Sequence, residues 1–364
     1  MAKLTAEGFS FHTIELKKKI TYSKLRDLKA LEYKNCKENY RFYYDEVHRI
    51  YISERYKNAG VRLYFHENGE GPSPHIRLII NPRILIGDFS YVGIFEKTDE
   101  NWMKLFLNLN KILKELDSEY SIESFTVSRI DLCVNLKANL RDINTTMRLI
   151  RKCRIPEVYE RVYFSSEEDN AKEMNKNSFH VRRDYDEVSI YNKGYQMQQE
   201  GLSEYGDVDI LRFEVQLKRK AIVRFLNQYY GSHYISNSEI LNFFAERSRD
   251  IMGYRLKDFF TKGYHLQYSE AQRIVNANTI FTSKTRQRMK QLIYYTSQCK
   301  NLNIAIKHLE DEFSLNKKQI EQLLKDFERI NLSPITLKNN SFDLNQPSVL
   351  DMLGLSFNRG NEFD

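Results

Sequence analysis

No pair of cysteines stands at C-x-x-C spacing: Cys36, Cys133, Cys153 and Cys299 are scattered along the chain. That pattern argues against a thiolate metal site and fits a reduced, cytoplasmic compartment. No apolar run approaches the roughly 20 residues that a membrane helix needs, so no membrane partner is expected. The opening stretch, MAKLTAEGFSFHTIELKKK, has no apolar signal core, and export is not expected either. Tryptophan occurs once, against 24 Tyr and 22 Phe. Tyr suits half-buried sheet positions, and it also offers a π face to a nucleic-acid base.

What is present is enough for a well-buried core: 364 residues, 41% of them hydrophobic. The length suggests about two domains. Lys and Arg outnumber Asp and Glu by 56 to 49, giving a net charge of +7. The excess is mild and favours an acidic partner without demanding one.

Strand-like alternation dominates to about residue 217, and helical periodicity follows it. Within the first part an internal echo runs. VRLYF (61–65) leads through a turn-rich stretch to IRLIINPR (76–83), and VSIYN (188–192) leads to LRFEVQLKR (211–219). Each pair is preceded by a strand and a helical segment, FSFHTIEL with 22–34 and SFTVSRIDLCVNL with 141–152. The expected fold is therefore α+β: two related β-α-β-β halves with mostly antiparallel sheet, then an all-helical C-terminal region. The expected divisions are 1–120, 121–230, 231–335 and a loose tail over 336–364. In the echo Tyr64 corresponds to Tyr191 and Arg77 to Arg212, but Ile79 stands where the second copy has Glu214.

Side chains alternate across a strand, so parity separates its faces. In 128–136 the even positions are almost all apolar, and the odd ones are Arg129, Asp131, Cys133 and Asn135. The same reading opposes Ser189, Tyr191 and Lys193, then Arg212, Glu214 and Gln216, then His180 and Arg182 to the apolar sides of their strands. If these strands share one sheet, one polar face gathers them all with Asp131. A solvated face of an antiparallel sheet would also be polar. Solvated faces are usually Lys, Glu and Thr, however, whereas here two single acids are framed by Arg beside a Tyr-x-Lys.

Such a set suits phosphoryl transfer. Asp131 and Glu214 could hold a divalent ion, Mg²⁺ or Mn²⁺, through their oxygens. Arg129, Arg182 and Arg212 could grip DNA phosphates through their planar forks. Tyr191 could attack phosphorus, with Lys193 steadying the phenolate and His180 accepting its proton.

At these residues the chain resembles the Rep-trans replication initiation factors, which include initiators of rolling-circle plasmids, phage replication proteins and certain conjugative relaxases. The matching stretches are SRIDLCVNL, VSIYNKGYQMQQEG and DILRFEVQLKRKAI, in that order, covering roughly residues 120–225 with their spacers. The resemblance implies an enzyme that nicks one strand of origin DNA, single- or double-stranded, through a tyrosine and a divalent metal, and stays on the 5′ end. It implies a metal at Asp131 and Glu214 and a tyrosine nucleophile at Tyr191, with Tyr185 and Tyr195 as rivals. A helicase and a second copy of the chain are candidate partners. The family's Gly-Ser-Arg before the tyrosine strand is replaced by HVRRDYDE, and its second acid in the first motif by Asn135. The alternative is a sequence-specific DNA-binding replication or regulatory protein without nuclease activity.

In the helical region, NIAIKHLEDEFSLNKKQIEQLLKDF has the outline of a helix-turn-helix. Asn316, with Gln319 three residues on, predicts a capped second helix. Lys317 and Lys318 then lie at its start, where such helices meet DNA.

Overall fold

The computed structural model describes residues 5–36, 41–67, 73–165, 170–202, 209–231, 233–338 and 345–355. The first half contains β1 (Thr5–Lys19), α1 (Tyr22–Asn35), β2 (Phe42–Asp45), β3 (Ile50–Ser53), β4 (Val61–His66) and β5 (His75–Ile80). The short α2 (Pro82–Leu85) and the long α3 (Asp99–Leu116) follow. The second half contains β6 (Thr126–Lys137), α4 (Leu140–Arg151), β7 (Glu160–Val162), α5 (Ala171–Asn177), β8 (Ser178–Arg182) and β9 (Asp186–Asn192). It ends with α6 (Lys193–Gln199), β10 (Ile210–Lys218) and α7 (Arg219–Tyr230).

These strands form one ten-stranded sheet in the order β2-β3-β4-β5-β1-β6-β10-β9-β8-β7. The fold is thus α+β. Read outward from the β1/β6 junction, the order of one half is the order of the other. Every pairing in the sheet is antiparallel, and Tyr64 faces Arg77 as Tyr191 faces Arg212. The register bears out the correspondence expected from the echo.

One face of the sheet is the core. Phe11, Ile14 and Leu16 of β1 join Ile130, Leu132 and Val134 of β6 and Phe213 and Val215 of β10 there. Helices cover that face because each carries a complementary apolar stripe. In α3, Thr98 caps the start by accepting the Asn101 N–H, Asp99 and Glu100 favour the positive helix end, and Leu105, Leu109, Ile112, Leu113 and Leu116 are buried.

The C-terminal region holds α8 (Asn237–Glu246), α9 (Ser248–Leu256), β11 (His265–Leu266), α10 (Tyr268–Ala277), α11 (Ser283–Gln298), α12 (Leu302–Phe313) and α13 (Lys317–Arg329). After these come β12 (Asn345–Gln346) and α14 (Val349–Met352). Helices α8 and α9 lie against β1 and β6, so this region is continuous with the sheet. No helix among the described residues is long and apolar enough to cross a membrane.

The tail differs from the loose segment expected over 336–364. Asn345 and Gln346 pair with Leu266 and His265, and Val349, Leu350, Met352, Leu353 and Leu355 are buried. Thr336 donates its hydroxyl to the Ile293 carbonyl. The described part of the stretch lacks periodicity because its elements are a two-residue strand and a four-residue helix, each too short to show a repeat. Residues 339–344 and 356–364 lie outside the described residues.

Candidate active site

The central strands bring the acids and the phenol to one face. Glu214 on β10 stands opposite Cys133 of β6 and Ser189 of β9. Asp131 stands opposite Gln216, so the two carboxylates are diagonal neighbours on the same side of the pleat. Tyr191, opposite Arg212, is the other diagonal neighbour of Glu214, and its hydroxyl donates to Glu214 Oε1 at 2.6 Å.

An imidazole joins them that the alternation did not forecast. The β1–β6 register passes from Phe11↔Leu132 to Thr13↔Asp131, leaving His12 unpaired in a bulge. A bulge re-aims the extra side chain. His12 Nδ1 thereby lies 3.6 Å from Glu214 Oε1 and 3.2 Å from Thr13 Oγ1. The signal was present: apolar positions run Phe9, Phe11 and then Ile14, Leu16, a switch of parity that a regular strand cannot accommodate.

The polar face is drier than a solvated sheet face. Asp131 is 7% exposed and Arg212 only 2%. The segment between α2 and α3 folds over this end: Arg212 Nη2 donates to the carbonyls of Val92 (2.8 Å) and Gly93 (3.2 Å). Its Nε donates to Asn135 Oδ1 at 2.9 Å, and Asn135 Nδ2 donates to Val92 O at 2.8 Å. Arg212, expected to grip phosphate, spends its hydrogen bonds on this cover. The absent acid at 135 is an amide that helps hold it.

Burial sets the charges. It pushes the Asp131 carboxyl up to about 7, with Glu214 and Glu15 adding to the rise against Arg129. Arg129 Nε is 3.1 Å from Asp131 Oδ1, an ion pair in which that buried oxygen accepts no aligned hydrogen bond. Burial also pushes Glu214 upward, but His12, Tyr191, Arg212 and Lys193 outweigh it and leave Glu214 below its usual range. Burial and the Glu214 charge hold the Tyr191 phenol well above its ordinary value. His12 is lowered by burial, with Arg212, Lys193 and Arg83 opposing the pull of Glu214. Lys193, brought down to about 8 by burial and by Arg212, sits 5.9 Å from the Tyr191 ring centre and donates to Gln196 Oε1. It lies here because β9 ends at Asn192, whose side chain caps α6.

The other candidates are placed elsewhere. His180 Nε2 lies 3.3 Å from Glu187 Oε2, so its partner is that carboxylate and not Tyr191. Arg182 is exposed and paired with Glu160 at 3.3 Å. Tyr185 is flanked by Arg183 and Lys220, and Tyr195 belongs to α6. Lys317 and Lys318 are exposed at the start of α13, where Asn316 and Gln319 form the reciprocal cap.

Two carboxylates, one with an unbonded oxygen, and a neighbouring imidazole fit a hard divalent ion in kind, since Mg²⁺ commonly takes one or two carboxylates plus substrate phosphate. Among the described residues, no three His, Cys, Asp or Glu side chains converge into a ready ligand set.

Asp131 makes a pH prediction. Its folded pKa, about 7, exceeds the value near 3.9 of an unfolded Asp. Between those values the folded chain holds a proton that the unfolded chain has released, so this group's contribution to stability falls as pH rises through that window. Asp131→Asn should therefore gain over the wild type from about pH 4 to about pH 8, by up to a few kcal/mol. Urea midpoints at both ends measure it; equal differences at the two pH values would mean that Asp131 is not held protonated.

The chain matches no family model and no curated protein.

Proposed function

We propose that the chain nicks and rejoins one strand of DNA through Tyr191, as an initiator of rolling-circle replication. The observation that carries this reading is the hydrogen bond from the Tyr191 hydroxyl to Glu214, in a basin shared with Asp131, His12 and Lys193. The order of the three resembling stretches supports it.

The residues divide the work as follows. Tyr191 is held protonated, so it needs a base at the moment of attack, and Glu214 already accepts its hydrogen bond. As the proton moves to Glu214, the phenol oxygen forms a bond to phosphorus and the bond to the 3′ oxygen breaks. The proton on Glu214 then passes to the leaving 3′ oxygen. The DNA 5′ phosphate is left on Tyr191, and attack by a 3′ hydroxyl reverses the step. Lys193 and Arg129 place positive charge beside the basin. Asp131 and the second oxygen of Glu214 would hold Mg²⁺ or Mn²⁺, which supplies further positive charge at the phosphate.

Incubation with labelled single-stranded origin oligonucleotides, with and without metal, tests the reading. A labelled protein band that survives denaturation is expected only with metal. A helicase and a second copy of the chain belong to this same reading as proposed partners.

The α12–α13 hairpin favours a duplex-binding role beside the chemistry, and it is what a non-catalytic DNA-binding protein would also use. Replacing Lys317 and Lys318 with Ala is expected to lower the salt slope of duplex binding by about 0.9 per lysine. A slope equal to that of the wild type would place duplex contact elsewhere.

A further inference from the structure

The mirrored strand order gives the Tyr191 basin a counterpart in the first half. Tyr64 faces Arg77 there, but Ile79 occupies the place of Glu214, so no carboxylate on β5 can take a proton from Tyr64. This half has instead a basic cluster. Arg77 Nη1 lies 3.8 Å and Arg129 Nη1 3.6 Å from the same oxygen of Glu15, while Ser128 donates to the other oxygen at 2.8 Å. Both distances from Arg exceed a hydrogen bond. The Nε atoms of Arg77 and Arg129 are buried without an aligned partner among the described residues. Two guanidinium forks thus converge with most of their donors unspent, and Lys17 stands opposite Arg77.

The cluster lies on a row that crosses the strands. By register, Tyr43 faces Ile52, Ile52 faces Tyr64, Tyr64 faces Arg77, and Arg77 faces Lys17. The Arg77 guanidinium is 4.7 Å from the Tyr64 ring centre, and Tyr43 is exposed. Two phenol rings at one end of the row and two cations at the other suit an unpaired strand, since rings stack on bases while forks hold phosphates. A duplex keeps its bases stacked on each other and gains nothing from the rings. Arg129 joins the two basins, touching Glu15 on one side and Asp131 on the other. Strands β5 and β10 are separated by β1 and β6, which puts the basins roughly 14 Å apart at ordinary strand spacing.

We propose that the first half is a non-catalytic subsite for single-stranded DNA, in which Arg77 and Arg129 hold a backbone phosphate and Tyr64 and Tyr43 meet bases of the strand whose scissile bond lies at Tyr191. The subsite rests on the nicking reading for its choice of DNA, but its test is a binding measurement. The degenerate copy keeps a strand in register so that the active copy cuts at a fixed distance from the held phosphate.

The experiment is a titration of the full chain with a fluorescent oligothymidylate of about 16 nucleotides over a range of salt. Arg77→Gln is expected to weaken binding about tenfold and to lower the salt slope by about 0.7, the loss of one phosphate contact. Tyr64→Ala should weaken binding with the slope unchanged. Lys104→Ala, which removes a cation from the exposed face of α3, should change neither. If Arg77→Gln does not fold, Arg77→Lys decides: affinity should fall with the slope kept, and wild-type affinity would overturn the subsite. A wild-type slope in folded Arg77→Gln, or an equal loss in Lys104→Ala, also overturns it. Oligouridylate bound with the same dependence on Arg77 would overturn the assignment to DNA. Adduct formation with binding indifferent to Arg77 removes the subsite and leaves the nicking reading. Binding that depends on Arg77 without any adduct does the reverse.

Discussion

Tyr191→Phe is expected to lower covalent adduct formation by at least ~10³-fold while changing oligonucleotide affinity by less than tenfold. The substitution deletes one oxygen and leaves the ring in place between the sheet and Lys193. Glu214 loses the Tyr191 hydroxyl as a donor but keeps His12 nearby, so the basin retains its charge. Tyr185→Phe and Tyr195→Phe should form adduct near the wild-type rate, since neither phenol is bonded to Glu214. Radiolabelled oligonucleotide on a denaturing gel reads all three. An adduct at the usual rate in Tyr191→Phe would remove this phenol from the chemistry. Glu214→Gln separates a base from a mere support. Removing the carboxylate charge eases ionisation of Tyr191, because that charge is one of the causes holding the phenol up. The slow residual reaction of Glu214→Gln should therefore quicken as pH rises, and a flat profile would mean that Glu214 does not act on the phenol's proton.

How much of this site was legible depended on the range of the interactions. The faces of β6, β9 and β10 follow from alternation, a local property, and they put Asp131, Glu214 and Tyr191 on one side as expected. The match of Tyr64 with Tyr191 was readable because a repeated unit repeats its register. The cap at Asn316 was readable because both partners lie within one turn. His12 was missed because a bulge breaks the rule by which faces are read. The cover that takes up the Arg212 donors was not legible because the Val92 and Gly93 carbonyls lie 120 and 119 residues away along the chain. His180 was misassigned for a related reason: its face was right, but Glu187 on the adjacent strand is the nearer acceptor. That the two halves join edge to edge at β1 and β6 is a long-range pairing that no local pattern could announce.

The second large effect is on stability, at Asp186. This carboxylate is fully buried at the start of β9 and ties three elements together. Arg183 donates to it twice, at 2.6 and 2.7 Å, and the Tyr159 hydroxyl donates at 2.8 Å. Arg255 of α9 brings its Nε to 3.3 Å, with its side chain only 4% exposed. Asp186→Ala leaves two guanidinium groups around an empty place, one of them almost without water. Removing one partner of such a buried group costs about 3–5 kcal/mol. Tyr159→Phe, which takes away one hydrogen bond to the carboxylate, should cost only about 1 kcal/mol. Arg255→Met keeps most of the volume over Phe225 and removes one stranded charge, so Asp186→Ala should cost less in that background. Urea midpoints of the two single variants and the double variant give the coupling. Strict additivity would show that the helical region is not anchored through this pair. Because Asp186 opens the strand that ends beside Tyr191 and pairs with Leu217 of β10, loosening it should also slow adduct formation. That loss should be recovered in the double variant if the anchor acts by positioning β9.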